Sequence, residues 1–246
     1  MSIEDQDDLI GLQRIGQLIG QALHDAQALA APGLTTADLD HYLADRLVPL
    51  GVRSTPGHTY NFPGFACICV NDEAVHAVPG PRVLQDGDLV TVDLEADLDG
   101  YVADAARTFS VGTPHPHDRR LHLAATDACH HAIAHARPGQ CTREIGRRVD
   151  QRVRRHGFRV IRSLYGHGVG RAAHEAPNIP NFNDPNCRDR LTEGLVITIE
   201  PIVSAGNGQV TEDGAWTLRT TDHARSAHHE ETIVITRGQP LVLTAA

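Results

Sequence analysis

The 246-residue chain is long enough to bury a substantial core, and its 41% apolar content is ordinary for a globular protein. Acids outnumber Lys and Arg 31 to 22, giving a net charge of -9, which argues against a nucleic-acid binder with a basic face. No apolar run reaches the roughly 18 residues of a membrane span, the acidic stretch from Met1 to Asp8 has no secretory-signal pattern, and the five cysteines form no Cys-x-x-Cys pair, so a reducing, cytoplasmic setting is expected.

The first predicted element is an amphipathic helix. Leu12, Ile15, Ile19, Ala22, Ala26 and Leu29 step by three and four and form one apolar stripe. Asp5, Asp7 and Asp8 lie where the helix dipole favours negative charge, and Pro32-Gly33 ends the helix. A second helix opens at a threonine cap, Thr35 or Thr36, and carries Leu39, Leu43 and Leu47. Strands are predicted at 67–70 and 74–78, around a turn at Asn71-Asp72-Glu73. A further pair, 89–96 and 101–111, flanks Asp99-Gly100.

The same order then recurs. Leu121, Ala125, Ala128 and Ala132 mark a helix that stops at Pro138-Gly139, and a Thr142 cap opens the next, with Ile145, Val149 and Val153. The copies register at a constant offset of 106 residues. Pro32, Gly33, Thr36 and Leu39 match Pro138, Gly139, Thr142 and Ile145, and Gly51-Val52-Arg53 matches Gly157-Phe158-Arg159. Further strands are expected at 195–199, 215–219 and 232–236. Helix pairs followed by hairpins, rather than strict alternation, predict an α+β fold with a largely antiparallel sheet. It is one domain over 1–246, built from a pseudo-two-fold repeat (roughly 10–110 and 116–240) with a site where the halves meet.

Candidate chemistry lies on these strands. Asp93 and Asp104 interrupt otherwise apolar strand sequences, and an even-numbered loop puts them on one face. They are diagonal neighbours if Asp99-Gly100 is the loop, and directly opposite if it is centred one residue earlier. Two such carboxylates need a proton, an arginine or a metal ion between them, unless they lie on a wet face of the sheet. His167 stands between glycines that allow close backbone approach, and His174 follows seven residues on. His115, His117, His122, His130, His131 and His135 read as ordinary surface or core histidines. Glu200 ends an apolar strand and Glu230 opens another. Together, two Asp, one His and two Glu suit divalent Mn, Fe, Co or Zn, and two ions better than one.

These residues resemble the type I methionine aminopeptidases. The resemblance rests on Val70 to Pro79 around His76, on Asp93 and Asp104, on Gly166 to Gly170, and on His174 to Pro177. Thr198 to Pro201, Glu230 to Val234 and the Asp213 to Trp216 stretch extend it over nearly the whole chain. It implies the pita-bread fold and removal of the initiator methionine from nascent proteins by a hydroxide held between two divalent ions. By the same resemblance, Asp93, Asp104, His167, Glu200 and Glu230 are the metal ligands. Glu200 handles the proton, His174 the oxyanion and His76 the scissile nitrogen. Phe62, Cys67 and Trp216 wall the methionine pocket. The substrates are N-terminal peptides, the ribosome is a further partner, and the chain is a monomer. The pattern assigns the last ligand to Glu230 rather than Glu231, since neighbouring strand residues face opposite ways. Two departures stand out: Ala173 where the family carries an aromatic before the second histidine, and Ala105-Ala106 after the second aspartate. The alternatives are an Xaa-Pro aminopeptidase or prolidase on the same fold, and a non-catalytic binding protein. The 63-residue gap from Asp104 to His167 speaks against the first, and the five filled ligand positions speak against the second.

Overall fold

The computed structural model describes residues 1–245. In the first half, helices α1 (Gln6–Leu29), α2 (Thr36–Leu47) and the short α3 (Thr55–Tyr60) accompany strands β1 (Arg53–Ser54), β2 (Cys67–Val70), β3 (Glu73–Val75), β4 (Leu89–Leu98) and β5 (Tyr101–Ser110). The second half opens with α4 (Pro116–Ile133) and α5 (Thr142–Arg155). It continues through β6 (Arg159–Val160), β7 (Tyr165–Gly168), β8 (Glu175–Pro180), β9 (Val196–Ile199) and β10 (Ile202–Ser204). It ends with β11 (Val210–Asp213), β12 (Thr217–Thr220), β13 (Ser226–His228), β14 (Glu231–Val234) and β15 (Leu241–Val242). The ladders are antiparallel. One sheet runs β1-β4-β2 with β5 on the other edge of β4, and the largest runs β15-β14-β9-β7-β8.

Each half buries its own core. Ile15, Ile19 and Leu23 of α1 and Leu39 and Leu43 of α2 pack on Ile68, Val92 and Leu94. Leu121, Ala125 and Cys129 of α4 and Ile145 and Val149 of α5 pack on Ile197, Ile199 and Ile233. The repeat extends to the hydrogen bonds. Gly33 and Gly139 both sit at positive φ (100° and 85°), and their N–H groups donate to the carbonyls of Leu84 (2.9 Å) and Leu191 (2.8 Å). The Thr36 and Thr142 N–H groups donate to Arg82 (3.0 Å) and Asp189 (2.9 Å).

Three details differ from the sequence reading. Leu29 is 39% exposed, because the core beyond Ala26 takes Ala30, one full turn on. Cys141, not Thr142, occupies the cap of α5 and makes no side-chain cap bond. Its counterpart Thr35 closes a full capping box with Asp38. The segment after Asn71 does not form a hairpin ladder with β2: β3 starts at Glu73, stops at Val75 and pairs with β12. Glu73 explains the break, since its carboxylate accepts the Val70 N–H (2.7 Å) and also pairs with Arg82 and Arg219.

The halves diverge where helix meets strand. At Asp40 of α2 a carboxylate accepts the N–H groups of Phe65 and Ala66 (2.8 Å each). The matching residue of α5 is Gly146, where an added Cβ would fall on the carbonyl oxygens of Phe182 and Pro180. Backbone atoms cannot swing aside as a flexible side chain can. Gly146→Ala is therefore expected to cost about 1–3 kcal/mol of stability, read as a lower urea midpoint at unchanged m-value.

Candidate active site and metal centre

The β4–β5 hairpin positions the two aspartates. Asp99 (φ 54°) and Gly100 (φ 81°) are both left-handed, as a two-residue type I′ turn requires. Leu98 then faces Tyr101, Asp93 faces Ala106, and Glu95 faces Asp104. Asp93 and Asp104 are thus diagonal neighbours on one face, and Cys67, opposite Asp93 on β2, shares it.

The free edge of β5 meets the start of β14. Thr232 Oγ1 accepts the Asp104 N–H (2.9 Å) and donates to the Asp104 carbonyl (2.7 Å), while the Glu230 N–H donates to the Ala106 carbonyl (3.0 Å). This brings Glu230 to Asp104. Glu231 points the opposite way, onto the Arg107 guanidinium (2.7 Å). On the neighbouring strands, Thr198 Oγ1 accepts the His167 N–H (3.0 Å) and donates to Glu200 Oε1 (2.8 Å). Gly166 permits this approach, since a Cβ there would lie 2.9 Å from Thr198 O and Oγ1. The His167 Nδ1 lies 2.9 Å from the Gly168 carbonyl, which can only accept, so Nδ1 carries the proton. The Nε2 lone pair is left facing Glu200 Oε1 (3.6 Å) and Asp104 Oδ2 (3.9 Å).

All five donors, Asp93, Asp104, His167, Glu200 and Glu230, line one cavity of about 200 Å³, with Glu95 among them. Phe62, Cys67 and Trp216 form part of its wall, Phe62 meeting Trp216 edge to face at 5.3 Å. His76 and His174 border it. His76 is held at φ 58°, a sparsely populated region for a side chain of its size, and His174 Nδ1 lies 3.1 Å from the Tyr60 hydroxyl.

The electrostatics of this cavity are unfavourable without a cation. Burial pushes the Asp93 carboxyl up to about 7 and Glu95 up to about 8, the latter helped by Asp93 and Asp97. Burial, then the neighbouring carboxylates, drives Asp104 and Glu230 well above the usual carboxylate range; Glu200 follows although Thr198 opposes the shift. Burial and His174 lower His167 to about 4, so its imidazole is neutral near pH 7. Glu95 Oε1, Asp104 Oδ1 and Glu230 Oε1 are buried without a hydrogen-bond partner among the described residues. Bare carboxylate oxygens around a neutral imidazole fit a divalent ion, and atoms of Asp104, His167 and Glu230 lie within 4.8 Å of one another. A second trio, His130, His229 and Glu231, lies close enough together for an ion, but Arg107 already neutralises its carboxylate.

The Metallopeptidase family M24 model matches residues 11–237. Methionine aminopeptidase 2 of Bacillus subtilis is 37% identical over 99% of both chains, and a methionine aminopeptidase of Staphylococcus epidermidis is 37% identical over 99% of this chain and 98% of its own. This chain belongs to metallopeptidase family M24, among its methionine aminopeptidases. The crystal structure of the Thermotoga maritima methionine aminopeptidase covers all of both chains at TM-score 0.95 and 32% identity, so the M24 pita-bread fold is shared throughout. The prolidase from Pyrococcus furiosus, at 22% identity and TM-score 0.80 over 65% of its chain, shares the fold alone.

Three further residues of this cavity, Glu95, Tyr60 and His228, are hard to read from the sequence. Glu95 reads as an ordinary strand glutamate until the register places it opposite Asp104. Tyr60 ends a six-residue helix with too few turns to show a period. His228 hides in a run of two histidines and two glutamates, yet it is fully buried beside Glu230, with both ring nitrogens unpartnered. The signal that was available is the spacing of two between Asp93 and Glu95, which puts both on one face of a strand.

The charge crowding has a pH signature. A carboxyl whose folded pKa is raised binds more protons folded than unfolded, so stability falls as pH climbs toward the folded value. Histidines held neutral, such as His167, act the opposite way, but only below their ordinary value of 6.5. Between pH 6.5 and 8 the carboxyls act alone, with Asp93 at about 7 and Glu95 at about 8. Chelator-treated protein is expected to melt at progressively lower temperature across this window, and added Mn²⁺ to reverse the trend, as read by scanning calorimetry.

Proposed function

We propose that this chain removes the N-terminal methionine from peptides of nascent proteins in the cytoplasm. In this reading Asp93, Asp104, His167, Glu200 and Glu230 hold two divalent ions. The supporting observation is the convergence of these five donors, with bare carboxylate oxygens, in one cavity that Phe62, Cys67 and Trp216 also line. Four carboxylates offset the charge of two divalent ions, and neutral His167 offers its Nε2 lone pair.

Bound ions supply Lewis acidity toward the scissile carbonyl and toward water. The protein's residues do the rest. Glu200, oriented by the Thr198 hydroxyl that donates to its Oε1 (2.8 Å), takes a proton from the attacking water and returns one to the leaving amine. The Tyr60 hydroxyl lies 3.1 Å from His174 Nδ1; with the hydroxyl as donor, the His174 proton sits on Nε2, available to the developing oxyanion. His76, fixed by its left-handed backbone, steadies the scissile nitrogen. The Phe62–Trp216 pair gives a thioether apolar surface and aromatic edges to pack against.

Metal-stripped enzyme titrated with Mn²⁺ or Co²⁺ is expected to release Met from Met-Ala-Ser and to leave Xaa-Pro peptides largely intact. Glu200→Gln should lower kcat by at least about 100-fold. Preferential Xaa-Pro cleavage would overturn the specificity, and full activity in Glu200→Gln would overturn the mechanism.

A further inference from the structure

Glu95 has no part in the five-donor set, yet it carries the same mark as two of its members. It is 5% exposed, lines the same cavity, and its Oε1 is buried without a partner, like Asp104 Oδ1 and Glu230 Oε1. The ladder fixes its place. Glu95 lies two residues beyond Asp93 on β4, hence on the same face, and directly across from Asp104 on β5. The Asp104 N–H and carbonyl both bond to Thr232, on the far side from β4. Asp104 and Glu95 therefore form a non-hydrogen-bonded pair, the kind in which the Cα atoms approach to about 4.5 Å and the side chains lie closest.

Two other accounts of the residue fit less well. A structural glutamate in a buried strand has a cationic partner, as the next residue on this face does: Asp97 takes Arg53 (2.7 Å) and the His58 ring (2.6 Å). Among the described residues Glu95 has no such partner. Nor is it a wet-face acid, since it is almost fully enclosed.

We propose that Glu95 is a sixth protein ligand of the metal centre, beside Asp93 and Asp104. The inference rests on the two-ion reading above and adds to it a third carboxylate from a single hairpin. An additional hard oxygen there strengthens the site for ions that accept more than four ligands, Mn²⁺ and Fe²⁺ before Zn²⁺.

The test is calorimetric titration of chelator-stripped protein with MnCl₂, with thermal melting of the metal-free forms alongside. Wild type is expected to bind two ions. Glu95→Gln should bind one of them unchanged and the other at least about tenfold more weakly. Glu95→Asp, which keeps the charge on a shorter arm, should fall between. At alkaline pH, where the cavity's carboxyls are ionised, metal-free Glu95→Gln should melt at or above wild type, because one of several crowded like charges is gone. If Glu95→Gln binds both ions as tightly as wild type, or if its metal-free form melts well below wild type at that pH, Glu95 is not a ligand and the five-donor centre stands without it. A wild-type protein that takes up fewer than two ions overturns the two-ion reading, and this inference with it.

Discussion

The Thr232 hydroxyl joins the two halves of the molecule. It bonds both backbone groups of Asp104 and so seats the start of β14 against the edge of β5. Each half has its own helices and its own main core, and two smaller apolar clusters, one around Val102, Val169 and Val234 and one around Val75 and Ile202, span the halves without involving the carboxylates. The seam brings the carboxylates of one half to those of the other. Asp93, Glu95 and Asp104 arrive from the first repeat, and His167, Glu200 and Glu230 from the second. Arg107 reinforces the junction from behind, donating to the Glu230 carbonyl (2.6 Å), to Glu231 and to the Thr244 carbonyl (3.1 Å).

The seam holds together groups that repel. Several carboxylates share one small cavity, and their raised proton affinities express the cost of charging them there. Folding tolerates this because the opposing terms are large: two packed cores and continuous ladders fix the backbone whatever the side chains prefer. The stored repulsion is the counterpart of an affinity for cations. Neutral His167 fits the same logic, since burial removes the proton that would compete for its lone pair.

Much of this was legible in the sequence, and what was legible shares a cause. The helices declare themselves because a stripe such as Ile15, Ile19, Ala22 and Ala26 has a period. The hairpin does so because Asp99-Gly100 has the chemistry of its turn, and that turn sets the diagonal relation of Asp93 to Asp104. The repeat was visible because Gly33 and Gly139 meet the same backbone requirement. The unread parts depend on partners far away in the chain. The spacing of two from Asp93 gives Glu95 its face, but its opposition to Asp104 comes from the ladder, and the role of Glu231 comes from Arg107, 124 positions earlier. The pairing of β3 with β12 rather than β2 turns on Glu73, whose salt bridge to Arg219 spans 146 residues and has no local signature. The sequence leaves the cap of α2 open between Thr35 and Thr36, and only the observed cap at Thr35 picks out its counterpart, Cys141.

The Asp99-Gly100 turn carries a consequence for how such a chain can vary. Surface hairpin tips are ordinarily where families gain and lose residues with little effect. Here the tip lies six residues from Asp93 and four from Asp104, and side chains alternate with every residue. Lengthening the loop by one while keeping the β4 register would turn Asp104 to the opposite face of β5 or demand a compensating bulge. The most exposed corner of the hairpin is therefore among the least free to change length, and natural variants there should differ in residue identity rather than in number.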